Sequence, residues 1–123
     1  MGTRYFCGSA MTGLGTEALI HGLVDFAPDP TEGYPQEAVN ENGEEVTINC
    51  APEETPVMYI FKIVSDQYGK QSFFKVISGN VTPDLTLENA RTGDLEKLGH
   101  IYTVKGKKTT EVTEIGCGDI GAV

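Results

Sequence analysis

Three things are scarce in this sequence: long apolar runs, closely spaced cysteines, and basic residues in its first half. A membrane-spanning helix takes roughly 18 or more consecutive apolar residues, and no run approaches that length. The first residues also lack the basic and apolar regions of a secretory signal. We therefore expect a soluble, cytoplasmic protein. Its 123 residues suffice for one domain with a buried core, or for a small domain with an appendage.

The three cysteines, Cys7, Cys50 and Cys117, lie far apart along the chain and include no C-x-x-C pair. A disulfide framework uses an even number of cysteines, and a zinc site uses closely spaced ones. We therefore expect three reduced thiols, with neither a disulfide framework nor a zinc site.

Basic residues are almost missing from residues 1 to 55, where Arg4 stands against ten acidic side chains. Residues 56 to 123 hold eight acidic and eight basic residues, so the net charge of −9 belongs to the first half. Most of the acidity lies in residues 31 to 56, which hold seven glutamates, three prolines and no lysine or arginine. This composition predicts a solvated connector.

Inside the connector, Asn42-Gly43 predicts a two-residue hairpin turn that pairs residues 38–41 with residues 44–48. An alternative use of the same segment is a metal site built from Glu41, Glu44 and Glu45. Runs of like charge are usually solvated surface, however, so we expect no bound metal.

Glycines at positions 8, 13 and 15 precede a predicted helix, which is the usual setting of a phosphate-binding loop. The spacing from Gly8 to Gly13 is that of the P-loop, but Leu14 and Gly15 stand where lysine and serine or threonine are needed. The G-x-G-x-x-A pattern from Gly13 resembles a dinucleotide-binding turn, yet the helix runs into Pro28-Asp29-Pro30 and not towards a second buried strand. The stretch therefore does not predict phosphate binding.

The helix is predicted from Thr16, as its N-cap, to Ala27, and a short strand from Arg4 to Cys7 precedes it. Its apolar side chains recur at helical spacing on one face; they are Leu19, Ile20, Leu23, Val24 and Ala27. With no sheet to receive it, this face is expected to be exposed and to favour self-association. His21, on the other face, has no partner with which to act as a ligand or a base.

After residue 56 the apolar period changes from helical to alternating. Strands are predicted at residues 57–65, 72–79, 85–89, 98–104 and 109–115, followed by a final IGAV. Short strands separated by turns about every ten residues predict a mainly β chain, a small antiparallel β-barrel or sandwich. No nucleophile with a base and no zinc motif appears among them, so no catalytic residue is predicted.

Three stretches together resemble bacterial elongation factor G, a translational GTPase family. FCGSAMTGLGTEALIHGLVDFAPDP is similar to the end of its GTP-binding domain, and FKIVSDQYGKQSFFKVISG with GCGDIGAV is similar to its β-barrel second domain. The resemblance covers the chain after residue 3. It implies a fragment in three parts: the last strand and helix of the GTP-binding domain at 1–30, a connector at 31–55, and a barrel at 56–123 that stops before its closing strand. The barrel then has a free edge, and we expect self-association through this edge or through the exposed helix face.

In that family the Gly-Ser-Ala turn holds the guanine base, so the resemblance assigns base recognition to Gly8, Ser9 and Ala10. It leaves Gly13 and Gly15 only a turn-forming role. Small residues at this turn let backbone N–H groups approach the purine oxygen. The sequence contains no P-loop or N-K-x-D motif, and its D-x-x-G match, Asp66 to Gly69, falls in the hairpin loop of the predicted barrel and not in the part that resembles the GTP-binding domain. The resemblance therefore implies a fragment that is no enzyme and holds no cofactor, whereas its parent binds GTP or GDP with Mg²⁺ and hydrolyses GTP to drive translocation on the ribosome.

Three lysines, Lys105, Lys107 and Lys108, surround Gly106 at a predicted strand tip. The residues alone are equally well explained as a solvated tip that discourages strand pairing. The resemblance implies that they contact small-subunit ribosomal RNA.

Alternative interpretations of the chain are a stand-alone β-barrel binding module, or a piece of a ribosomal protection protein or of a release-factor GTPase. The loop from Asp66 to Lys70 favours elongation factor G over the latter two.

Overall fold

The structure is a computed structural model that describes residues 2–67 and 69–123. These residues contain one helix and nine strands. In chain order they are α1 Thr16–Phe26, β1 Gln36–Val39, β2 Glu45–Ile48, β3 Val57–Asp66, β4 Gly69–Ser78, β5 Thr86–Glu88, β6 Leu95–Lys97, β7 Ile101–Lys105, β8 Lys108–Val112 and β9 Ile120–Ala122. The predicted loop from Asp66 to Lys70 includes Tyr68, which lies outside the described residues.

Five strands form the main antiparallel sheet, in the order β3-β4-β9-β7-β8. β3 and β4 make a long hairpin in which Val64 faces Gln71, and β9 pairs with the other side of β4, where Phe74 faces Gly121. The strands β5 and β6 form a separate ribbon. The predicted mainly β class is therefore confirmed. Within the described residues β3 and β8 are the two edges of the main sheet, so its ladder does not close into a ring.

The hydrophobic core lies on one face of this sheet. Every second side chain of the buried part of β4 points to this face. Phe74 and Val76 are fully buried, and Lys75 between them is exposed, which is the period of two expected of a strand. The buried cluster consists of Phe74, Val76, Val81, Leu98, Ile101 and Ile115. These residues come from β4, β7 and the segments between strands, so the connecting segments pack against the sheet through the core.

The predicted strand at residues 98–104 is wrong at its start. Leu98 lies outside the ladder, where it is buried and donates its N–H to the Leu85 carbonyl at 2.8 Å, and β7 begins only at Ile101. The sequence also failed to predict β6, which pairs Lys97 with Thr86 of β5. All three residues of β6 are exposed, so no apolar alternation marks this strand.

β1 and β2 form the hairpin predicted within the acidic connector, with Val39 facing Glu45. The predicted two-residue turn is wrong, however. The Asn40 N–H donates to the Glu44 carbonyl at 2.9 Å, the Gly43 N–H donates to the Asn40 carbonyl at 3.0 Å, and Gly43 has φ 80°. A three-residue loop with a left-handed glycine therefore closes the hairpin. The Asn40 Oδ1 favours this longer loop, since it accepts the Glu44 N–H at 2.9 Å.

The N-cap of α1 is Gly15, at φ 76°, and not the predicted Thr16. The Thr16 hydroxyl donates to the Gly13 carbonyl at 2.7 Å, so it does not accept from the first turn of the helix. The predicted strand from Arg4 to Cys7 is also wrong. A strand needs a neighbour that satisfies its backbone groups, and within the described residues no ladder includes this segment.

The apolar face of α1 is exposed, as predicted. Leu19 is 43% accessible, Ile20 59%, Leu23 58% and Val24 76%. Among the described residues no helix combines the length and the apolar character that crossing a bilayer requires. The helix therefore presents an uncovered apolar surface next to the glycine-rich loop.

Candidate functional site

The predicted base-binding turn lies in a loop that its own backbone closes. The Ser9 N–H donates to the Leu14 carbonyl at 2.9 Å, and the Ser9 carbonyl accepts the Gly13 N–H at 2.9 Å. Gly13 and Gly15 have φ 77° and 76°, which a side chain rarely permits. These two glycines therefore shape the turn, which is the role that the sequence left for them.

The two ends of the loop approach each other backbone to backbone. A Cβ atom on Gly8 would lie 2.6 Å from the Leu14 carbonyl oxygen, and one on Gly15 would overlap the Cys7 carbonyl oxygen. Neither position has room for a side chain. The turn from Gly8 to Ala10 is consequently fixed by close backbone packing.

Gly8, Ser9 and Ala10 line an open pocket of about 260 Å³, together with Phe6 and Leu14. The Ser9 N–H is occupied by the Leu14 carbonyl. The N–H groups of Gly8 and Ala10 have no acceptor among the residues that the structure describes, and so they are the donors that the turn offers. An N–H beside apolar walls suits a planar heterocycle with a carbonyl group on its edge.

Aromatic contacts hold the residues before the loop against α1. The Phe6 ring packs on Gly22, where a Cβ atom would overlap it, and this explains why Gly22 is buried on an otherwise exposed helix. The Arg4 guanidinium lies 3.5 Å from the centroid of the Phe26 ring, a cation–π contact. The loop is thus anchored on the helix.

Lys105, Lys107 and Lys108 lie at the tip of the β7–β8 hairpin. Lys105 faces Lys108 across the ladder, and Gly106 and Lys107 form the two-residue turn between them. Gly106 has φ 63°, and a left-handed glycine at the first turn position is typical of the primed turns that match the twist of a hairpin. All three lysines are exposed, so the tip concentrates positive charge in solvent.

A groove beside this tip adds residues that the sequence analysis did not single out. It has a volume of about 760 Å³, and Lys107 lines it together with Lys70, Phe73 and Tyr102. Lys62 lies 5.9 Å from the centroid of the Phe73 ring. Lys70 belongs to β4 and Tyr102 to β7, so only the strand order brings them to one groove. Cations next to aromatic rings suit phosphates and bases.

No three His, Cys, Asp or Glu side chains gather as ligands for a cation in the part of the chain that the structure describes. Glu44 of the acidic hairpin accepts a hydrogen bond from Asn40 Nδ2 at 2.9 Å. His100 Nδ1 lies 2.6 Å from Glu111 Oε1, and both side chains are exposed. His21 is exposed on α1.

The fold occurs in a known structure. A crystal structure of a protein from Thermus thermophilus superimposes with a TM-score of 0.62 at 22% identity, over 89% of this chain and 14% of the other. This likeness shows a shared fold. No family model matches the chain.

Several proteins named elongation factor G or elongation factor G-like are similar to this chain in sequence. The chain is 36% identical over 119 residues to "Elongation factor G 2" of Desulfotalea psychrophila, and 34% identical over 122 residues to "Elongation factor G 2" of Saccharophagus degradans. It is 38% identical over 114 residues to an "Elongation factor G-like protein" of Thermotoga maritima. These matches cover 96%, 96% and 92% of this chain.

The chain is therefore homologous, over nearly all of its length, to a segment of elongation factor G, and the resemblance read from the sequence is confirmed. It spans 17% of the length of each of these three relatives.

Proposed function

We propose that this chain is the part of a translation factor like elongation factor G that links the end of a GTP-binding domain to a β-barrel second domain. The parts are residues 1–30, the connector 31–55 and residues 56–123. The observation that carries the proposal is the homology over 96% of the chain. In the whole protein, GTP hydrolysis with Mg²⁺ drives the movement of tRNA and mRNA through the ribosome in the cytoplasm.

The turn from Gly8 to Ala10 serves the guanine base in this proposal. The Ala10 N–H is available as a donor, and the pocket beside it is walled by Phe6 and Leu14. The turn contributes one edge of the site, and the groups that hold the phosphates and Mg²⁺ come from other parts of the protein.

The lysine tip, Lys105 with Lys107 and Lys108, contacts small-subunit ribosomal RNA. Exposed cations on a rigid two-residue turn can reach phosphates without reading sequence. The neighbouring groove, with Lys70 and Phe73, extends this basic surface.

The test replaces the three lysines by alanine in the elongation factor that carries this chain. We expect weaker ribosome binding at low salt, because each phosphate contact releases counterions. The slope of log K against log salt should fall by about three, one for each lysine removed. Sedimentation of factor with ribosomes across a salt series measures it.

The matched control is the double variant Arg91→Ala/Lys97→Ala, which removes exposed cations on or beside the β5–β6 ribbon, where Lys97 pairs with Asp84 at 3.0 Å. This variant should keep the salt slope of the unaltered factor, and both variants should keep its affinity for GTP. A triple variant with an unchanged slope would show that the lysine tip does not contact the ribosome.

A further inference from the structure

Two cysteines that are far apart in the sequence meet beside the main sheet. Cys50 follows β2, and Cys117 lies in the turn before β9. Cys50 Sγ lies 3.7 Å from the position that a Cβ atom on Gly118, the residue after Cys117, would occupy. Both are free thiols.

Backbone hydrogen bonds hold the two cysteine-bearing segments on the end of β4. Gly79 donates its N–H to the carbonyl of Ala51, the residue after Cys50, at 2.9 Å. Gly118, the residue after Cys117, donates its N–H to the Val76 carbonyl at 2.8 Å. The fold of the main chain therefore brings the two cysteine-bearing segments next to each other, which a disulfide requires.

Solvent reaches this pair from one side. Cys50 lines an open pocket of about 430 Å³ with Pro30, Tyr34 and Lys75, while Cys117 packs against the hydrophobic core. Both side chains are half-buried. A small oxidant can enter this pocket.

We propose that Cys50 and Cys117 are a redox-sensitive pair that hydrogen peroxide converts into a disulfide, which ties the connector to the sheet. The thiolate of one of the two cysteines attacks a peroxide oxygen and forms a sulfenic acid, and the released hydroxide takes up the proton that the thiol lost. The sulfur of the other cysteine then attacks the sulfenic sulfur, and the sulfenic hydroxyl leaves with the proton of the second thiol as water. Two thiols and one peroxide thus give one disulfide and two waters.

Burial, and next the neighbouring Cys117 thiol, raise the pKa of the Cys50 thiol to about 11. Cys50 therefore rests as a protonated thiol at neutral pH. The disulfide closes a loop that contains β3 to β8, which restricts the unfolded chain, so oxidation should raise the melting temperature.

The test oxidises the reduced chain with hydrogen peroxide, denatures it, and counts the remaining thiols by alkylation and intact mass. A Cys7→Ser background removes the third thiol. We expect two alkylated cysteines before oxidation, none afterwards, and two again after treatment with dithiothreitol. A peptide map without reductant should contain one cross-linked species, joining the peptide of Cys50 to that of Cys117, in a chain that stays monomeric on a gel.

The matched control, Cys7→Ser/Cys50→Ser, should give no cross-linked peptide within the chain. Oxidation in urea should give a lower yield of the link, because the folded main chain is what brings the sulfurs together. Peptide mapping of the unaltered chain keeps the test informative if a variant does not fold. The proposal is overturned if both thiols stay alkylatable, if the links join different chains, or if the yield in urea equals that in buffer.

Discussion

Gly118 occupies a position at which both the backbone conformation and the space nearby disfavour a side chain. Its φ is 87°, and a Cβ atom there would overlap the Pro30 ring. We expect Gly118→Ala to lower the free energy of unfolding by about 1 to 3 kcal/mol, through backbone strain and displacement of Pro30. Urea denaturation followed by circular dichroism measures the change.

Gly33→Ala is the control for this substitution, because the same pocket borders Gly33 and its nearest neighbour for a Cβ atom is the Pro30 carbonyl oxygen at 3.5 Å. This variant should stay close to the stability of the unaltered chain. Equal losses for the two variants would show that the contact with Pro30 does not constrain Gly118.

At the residue scale the sequence predicted features that neighbours along the chain decide. Gly13 was expected to form a turn and Lys107 to lie at a tip, and both do, since local spacing determines them. The groove that joins Lys70 to Tyr102 and the meeting of Cys50 with the second thiol could not be predicted. Both depend on which distant strands become neighbours, and no local pattern encodes that order.

The helix α1 carries an uncovered apolar face. Leu23 is 58% accessible and Val24 76%, so association of two chains through this face would remove apolar surface from water. We expect the unaltered chain to dimerise as its concentration rises, and Leu23→Glu to shift the equilibrium towards monomer. Light scattering over a concentration series measures both.

The control adds the same charge to the other face of the helix, as His21→Glu, and should leave dimerisation unchanged. A monomer at every concentration for the unaltered chain, or equal behaviour of Leu23→Glu and His21→Glu, would contradict association through this face.

Elements were predictable where an apolar period or a turn signal marks them. β3 and β4 are rich in β-branched and aromatic residues, and the acidic hairpin contains Asn42-Gly43, so both were found. β6 was missed because its three residues are all exposed. The strand predicted at residues 4–7 was wrong although its apolar residues suit a strand, because no neighbouring strand is present among the described residues.

At the scale of the molecule, charge and architecture divide the chain at the same place. The excess of acidic residues belongs to residues 1–55, which contain α1 and the β1–β2 hairpin, whereas the main sheet with its lysine tip comes from the half with no net charge. Composition alone predicted this division, because charge needs no knowledge of strand order. It follows that the net charge of −9 describes the helix and connector and not the surface that we propose meets ribosomal RNA.

The chain as a whole should not bind guanine nucleotides by itself. Affinity for a nucleotide of this class rests on backbone N–H groups, a lysine and Mg²⁺ around the phosphates. The 123 residues contain no P-loop or N-K-x-D motif, and their D-x-x-G match at residues 66–69 lies at the β3–β4 hairpin, away from the Gly8–Ala10 turn. That turn offers the Gly8 and Ala10 N–H groups beside an open pocket of about 260 Å³. One or two hydrogen bonds and a partly apolar wall cannot offset the loss of ligand freedom on binding.

Calorimetry with GDP or GTP and Mg²⁺ at micromolar protein should therefore show no saturable heat, and phosphate release from GTP should equal that of buffer. The variant Ala10→Pro removes the N–H that the proposal assigns to the base, so it should give the same flat titration as the unaltered chain. Saturable binding that Ala10→Pro abolishes would mean that the turn holds a nucleotide without the phosphate-binding groups. The proposal that the turn contributes only one edge of a site whose phosphate-binding groups lie elsewhere in the factor would then be wrong.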